Sequence, residues 1–217
     1  SNIENITPEL RSEVEKSVIA EIEDPVKRHL SYAGYYQKSN DFDKAKEHYE
    51  KVLNEDVPLE ERTEEQKDAR YTAANNLLNI GILLDQPALI QEVVKIAQNE
   101  NLDDCQGNYF MARQAMHNQQ YEQALQRLNE CIDQRPIFSK AYMLRAKIYN
   151  VLGNEHNAIE DIQKASAMNL LDSEIAKVKA VMLYNRNKKL GDNISSDQIG
   201  ETVKTLENAI ALNAGDY

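Results

Sequence analysis

The chain has 217 residues, enough to bury a core in one or two domains. Hydrophobic residues make up 41% and charged residues 28%, the balance of a folded chain rather than a disordered one. A net charge of −11 counts against a nucleic-acid surface, which needs clustered Lys and Arg to displace counterions, so no nucleic acid is expected as a partner.

Glycine (7) and proline (5) are scarce, which favours helices because both destabilise a helix interior. No apolar run approaches the ~20 residues of a membrane span. The first residues lack the basic and apolar regions of a signal peptide, so a cytoplasmic location is the expectation. Ser1-Asn2 in place of an initiator Met reads as the remnant of a cleaved tag.

Thr7-Pro8 reads as an N-cap followed by proline at the first helical position. The helix it starts, over 8–24, carries Leu10, Val14, Val18 and Ile22 on one face and stops near Asp24-Pro25. It is either the second half of an earlier unit or a capping helix. Next comes His29-Leu-Ser-Tyr32-Ala33-Gly-Tyr-Tyr36, then Ala45-Lys-Glu-His-Tyr49 and Val52. Asn54–Gln66 is a polar connector whose Glu pairs are solvated. Two helices are expected over Asp68–Leu84 and Pro87–Asn99, with Ala74 and Ala97 at small-residue positions.

The clearest pattern follows. Asn108-Tyr-Phe-Met111-Ala112-Arg-Gln-Ala115 precedes Ala124-Leu-Gln-Arg-Leu128 and Cys131. Tyr142-Met-Leu-Arg145-Ala146-Lys-Ile-Tyr149 precedes Ala158-Ile-Glu-Asp-Ile162 and Ala165. Ala33 to Ala45, Ala112 to Ala124 and Ala146 to Ala158 are all 12 residues apart, while Ala112, Ala146 and Ala180 are 34 apart. Two antiparallel helices across a short turn need small side chains where they cross. Gly153 is the left-handed terminator expected after a helix, and Pro136 ends one pair and starts the next. The last pair begins at Ser173. Its second helix, around Gln198–Asn213, is displaced by about ten extra residues of loop composition within 188–197.

This 34-residue period resembles the tetratricopeptide repeat. The resemblance implies an all-α, right-handed α-α superhelix of about five helix pairs plus an N-terminal helix. The units would be 1–25, 26–59, 60–104 with its acidic linker, 105–138, 139–172 and 173–217. Leu212 to Tyr217 reaches the start of a further unit, so the chain is expected to be one stretch of a longer array.

No catalytic motif, metal spacing or cofactor loop is present, and no enzymatic activity, metal or cofactor is expected. His29, His48, His117 and His156 read as ordinary repeat positions. Cys105 and Cys131 read as reduced, buried residues.

The resemblance implies a protein-interaction scaffold that holds a peptide or helix of a partner. The alternative is a regulatory or oligomerisation domain of a larger enzyme or signalling protein. The first helices of the units would line a concave face. Register places Tyr71, Asn75 and Asn79 there, then Tyr109, Arg113 and His117, then Met143, Lys147 and Asn150, then Lys177 and Tyr184. Asn75, Arg113 and Lys147 form a polar, partly basic track, with Tyr71, Tyr109, Met143 and Tyr184 beside it. Related repeats that grip chaperone tails use a clamp of Lys, Asn and Arg. Leu30, Gly34, Tyr109, Arg113 and Leu144 stand at those positions here, so that ligand is not expected.

Overall fold

Helix starts in this chain are set by polar caps. The Thr7 hydroxyl accepts from the Leu10 N–H at 3.2 Å, and Asp24 from the Lys27 N–H at 3.0 Å. Thr63 and Gln66 form a reciprocal capping box. Asp41, Asn154 and Asp172 cap three more helices. In a computed structural model that describes residues 7–54, 57–99 and 104–214, these caps open an all-α chain.

The helices are α1 Pro8–Ala20, α2 Pro25–Lys38, α3 Phe42–Leu53, α4 Glu64–Leu83 and α5 Pro87–Asn99. There follow α6 Asp104–His117, α7 Tyr121–Gln134, α8 Ser139–Val151, α9 Glu155–Met168, α10 Ser173–Leu190 and α11 Ser196–Ala214. Among the described residues there is no strand. After α1 the helices pack as five consecutive pairs. The chain divides into two compact units, Ser1–Leu102 with α1–α5 and Asp103–Tyr217 with α6–α11.

Small residues sit at the crossings. Ala33, Ala45, Ala112, Ala124 and Ala146 are fully buried and Ala158 is 1% exposed. Paired helices approach to the short end of the 8–10 Å range only with such side chains. In the α4/α5 pair Gly81 takes this role, because a Cβ there would meet the Ile90 side chain at 3.0 Å. Around the crossings Phe110, Leu128, Ile148 and Ile162 are completely enclosed.

One turn recurs inside the first four pairs. Asn40, Asp85, Gln119 and Gly153 hold φ of +58°, +49°, +59° and +76°. The next N–H reaches back to the preceding helix: Asp41 to Tyr36 O at 2.9 Å, Gln86 to Gly81 O, Gln120 to Ala115 O and Asn154 to Tyr149 O at 2.8 Å. This is the left-handed helix stop, made by glycine only once.

Four expectations change. The first helix ends at Ala20 rather than at 24, because Asp24-Pro25 must leave helical geometry to cap α2. The Leu10, Val14 and Val18 face points to solvent, at 48, 54 and 62% exposure, while Ile19 and Ser12 face α2. The capping box starts α4 at Glu64, inside the expected connector and four residues before the expected start at Asp68. In the last pair the extra residues lengthen the helices instead of forming one loop: α10 runs to Leu190 and stops at Gly191, with φ +53°.

The cysteines also differ. Cys105 and Cys131 are joined as a disulfide across α6 and α7 rather than standing as two reduced thiols. Both are buried at 1% or less, on facing sides of one helix pair, where a 26-residue separation brings them together.

Polar contacts join the two helices of a pair close to each crossing. His29 and His48 meet through their Nδ1 atoms at 2.9 Å. Arg127 donates to Asn108 at 3.3 Å. Asp161 receives two bonds from Arg145, at 2.7 and 2.9 Å, while Asn129 of α7 accepts a third at 2.7 Å. The Arg145 guanidinium also lies over Tyr142, 5.4 Å from the ring centroid. The Asp161 side chain is only 4% exposed, so its charge depends on this partner.

Arg145→Ala is expected to cost about 3–5 kcal/mol in urea unfolding, because it leaves a buried carboxylate unpaired. Arg145→Leu combined with Asp161→Leu should recover most of that loss. Burial holds the His48 ring below the ordinary histidine value, helped by Lys51 and His29. The unfolded chain then binds more protons, so this stability is present above about pH 6.5 and is lost as pH falls through the lower folded value. The urea midpoint should drop between about pH 7.5 and 5.5, with a shallower drop in His48→Gln.

Candidate functional site

Pairing leaves the first helix of each pair beside the first helix of the next. In the first unit α2 lies beside α4, and in the second α6 lies beside α8 and α8 beside α10. Every third or fourth residue of these helices therefore falls on a shared face.

In the first unit Tyr71, Asn75 and Asn79 stand one turn apart on α4. Tyr71 and Asn75 are half-buried and Asn79 is exposed. Asn79 donates to Asn76 at 3.5 Å. Toward the starts of α2 and α4 the face opens into a groove, lined in part by Leu30, Asp68 and Thr72 and bridged by Lys27 and Glu65 at 2.8 Å.

The second unit carries the remaining residues. On α6, Arg113 and His117 are half-buried. On α8, Lys147 is half-buried and Asn150 exposed. On α10, Lys177 is exposed and Tyr184 is 53% exposed. Asn150 and Tyr184 are 34 residues apart and hold the same register.

Two expected surface residues lie in the core instead. Tyr109 is 5% exposed and packs edge-on against Phe138, with ring centroids 5.3 Å apart. Phe138 precedes α8 and covers it, a contact invisible to helix periodicity. Met143 is 2% exposed on α8, across which α10 packs. Tyr109 keeps one link to the face, because the Arg113 guanidinium lies over its ring at 5.8 Å.

One residue of the face was missed by the sequence reading. Glu174 in the first turn of α10 accepts from Lys147 Nζ at 2.8 Å and ties α10 to α8. Burial pushes its carboxyl up, but the Lys147 hydrogen bond and the charges of Lys147, Lys140 and Arg113 outweigh it and hold it below the ordinary value. An acidic residue there is explained locally by the helix dipole, which hid it. The available signal was register: Glu174 stands one repeat after Lys140, with the opposite sign.

The arrangement is therefore a charge cluster from three helices, with Asn150, Lys177 and Tyr184 beside it. Among the described residues no group of three or more His, Cys, Asp or Glu could hold a metal, and no helix is long and apolar enough to cross a membrane.

Residues 27–56 and 139–170 match the tetratricopeptide repeat family model. No curated protein matches the chain by sequence. Among solved structures, a crystal structure of MamA is 16% identical with a TM-score of 0.48, covering 85% of this chain and 95% of that one. MamA from Desulfovibrio magneticus RS-1 is 14% identical with a TM-score of 0.46, covering 88% and 97%. YrrB, described as a TPR protein with an unusual peptide-binding site, is 13% identical with a TM-score of 0.44, covering 93% of each chain.

Lys147→Met removes the hydrogen bond and the largest opposing charge and leaves burial in place. The Glu174 carboxyl should then titrate higher than in the wild-type chain, as read by carboxyl-carbon NMR.

Proposed function

We propose that this tetratricopeptide-repeat chain is a non-enzymatic protein-interaction scaffold that takes a peptide or helix of a partner on the first-helix face of its second unit. The observation that carries this reading is the Arg113, Lys147 and Glu174 cluster, assembled from α6, α8 and α10. It offers a partner both signs of charge across adjacent helices.

The ligand chemistry follows from the cluster. Arg113, Lys140 and Lys147 suit a carboxylate, which would share the lysines with Glu174. Asn150 supplies a donor and an acceptor for an extended backbone. Tyr184 supplies adaptable apolar contact with a polar tip. Such short-segment recognition sits near micromolar affinity, about −8 kcal/mol. Asn75 and Asn79 offer the first unit's face the same backbone-bracketing chemistry.

Arg113→Glu combined with Lys147→Glu reverses the cationic side of the cluster without touching the core. Partners captured by the wild-type chain should be lost from this double variant, while its helical circular dichroism stays unchanged. Equal recovery of the same partners by both proteins would remove the face as the binding site.

A further inference from the structure

The groove between the starts of α2 and α4 measures about 590 Å³. Both walls are internal helices, and α2, α3 and α4 pack on one another. Half-buried Val26 and Leu30 make the α2 wall partly apolar. Along the groove Asp24, Glu65 and Asp68 stand against Lys27 alone.

Every cation at the two helix starts is engaged by the protein's own groups. Lys27 meets Glu65 at 2.8 Å, and Lys67 meets Glu64 at 2.7 Å. Arg28 donates to Ile22 O at 2.8 Å, Arg62 to Val57 O at 2.9 Å, and buried Arg70 to Val52 O at 3.0 Å. Beyond these, α4 carries no Lys or Arg, and α2 carries only Lys38 in its last turn. Asp68, in contrast, is exposed and makes neither an ion pair nor a hydrogen bond among the described residues. Asp24 caps α2 through one carboxylate oxygen, from the Lys27 N–H. The Lys27–Glu65 bridge is 54 and 69% exposed, a weak tie that an incoming cation can replace.

Register gives the same place the opposite sign in the second unit. With Asn75 aligned to Lys147, Asp68 of α4 stands where α8 carries Lys140. Net charge divides the same way. Residues 1–102 hold 21 Asp and Glu against 12 Lys and Arg, a net −9, while residues 103–217 hold 15 against 13, a net −2. Such asymmetry between halves of a chain selects partners of different charge.

We propose that the α2/α4 groove is a second binding surface, and that it takes an extended segment of a partner protein in which Lys or Arg alternates with apolar residues. Side chains of an extended segment point alternately to opposite sides. One set meets Glu65 and Asp68 on the α4 wall, and the other packs on Val26 and Leu30 of the α2 wall. Main-chain and side-chain contacts then act together, as in other recognition of short segments. This surface stands on the first unit alone and does not rest on the Arg113, Lys147 and Glu174 cluster, which suits a carboxylate.

Fluorescence anisotropy of a labelled octapeptide of alternating lysine and valine, titrated with the full chain, tests this. Binding should saturate with a Kd of about 1–100 µM and weaken severalfold between about 50 and 300 mM NaCl. The octapeptide with glutamate in place of lysine should not bind. Asp68→Lys should weaken binding by about tenfold or more, and Asp68→Asn by about threefold. Glu92→Lys makes the same change of net charge on exposed α5, away from the groove, and should leave Kd within about twofold. Circular dichroism checks that each variant keeps its helices. Absence of saturable binding overturns the proposal. So does unchanged binding in Asp68→Lys, or an equal loss in Glu92→Lys, which would mark a general attraction to an acidic chain. Arg113→Glu with Lys147→Glu should bind the octapeptide as the wild type does. Loss in that double variant would place the octapeptide on the other face and overturn the groove, so the two surfaces are tested separately.

Discussion

Close approach of paired helices governs this protein. At the crossings only hydrogen or a methyl group separates the two backbones: Ala33 with Ala45, Ala112 with Ala124, Ala146 with Ala158, and Gly81 beneath Ile90. A larger side chain would force the helices apart and open voids around Leu128, Ile148 and Ile162, which are enclosed only because the backbones are near. The same closeness brings positions one turn away into contact. His29 with His48 and Asn108 with Arg127 share one register, while Arg145, beside Ala146, reaches Asp161 from the crossing itself.

Pairing also decides which surfaces remain. Once second helices are buried against first helices, the first helices lie edge to edge within each unit, and their outward residues collect on one face. In the second unit that face gathers Arg113, Lys140, Lys147 and Glu174 from three helices. No single helix contains this cluster. Its electrostatics are mutual, since the Lys147 hydrogen bond and the neighbouring cations hold the Glu174 carboxyl below its ordinary value. A chain with net charge −11 thus carries a local patch of three cations around one carboxylate.

The terminal helices obey the same packing logic from the other side. A stacked helix pair always presents a slot to the next helix, and α10 fills the slot of α8/α9. Beside α10 and α11 lies an open groove lined by Val181, Leu206 and Ile210, and on α1 Leu10, Val14 and Val18 are exposed. Leu10, Val14 and Val18 share one face of α1 but lie exposed, and α2 is met by Ile19 and Ser12 instead.

The sequence by itself determined the helices, the pairing and the turn positions. Scarce glycine and proline, the Ala spacings of 12 and 34, and the caps at Thr7 and Gly153 are local signals, each acting within a few residues. Arg113 and Lys147 were legible because a repeat carries register along the chain. Tertiary structure alone decided which of the register positions face solvent. Tyr109 lies under Phe138 and Met143 on a helix crossed by α10, so both left the surface through neighbours distant in sequence. Glu174 and the Cys105–Cys131 bond entered for the same reason, since contacts across 26 or 27 residues depend on how helices are set side by side. Periodicity reports that a face exists, while only packing reports what covers it.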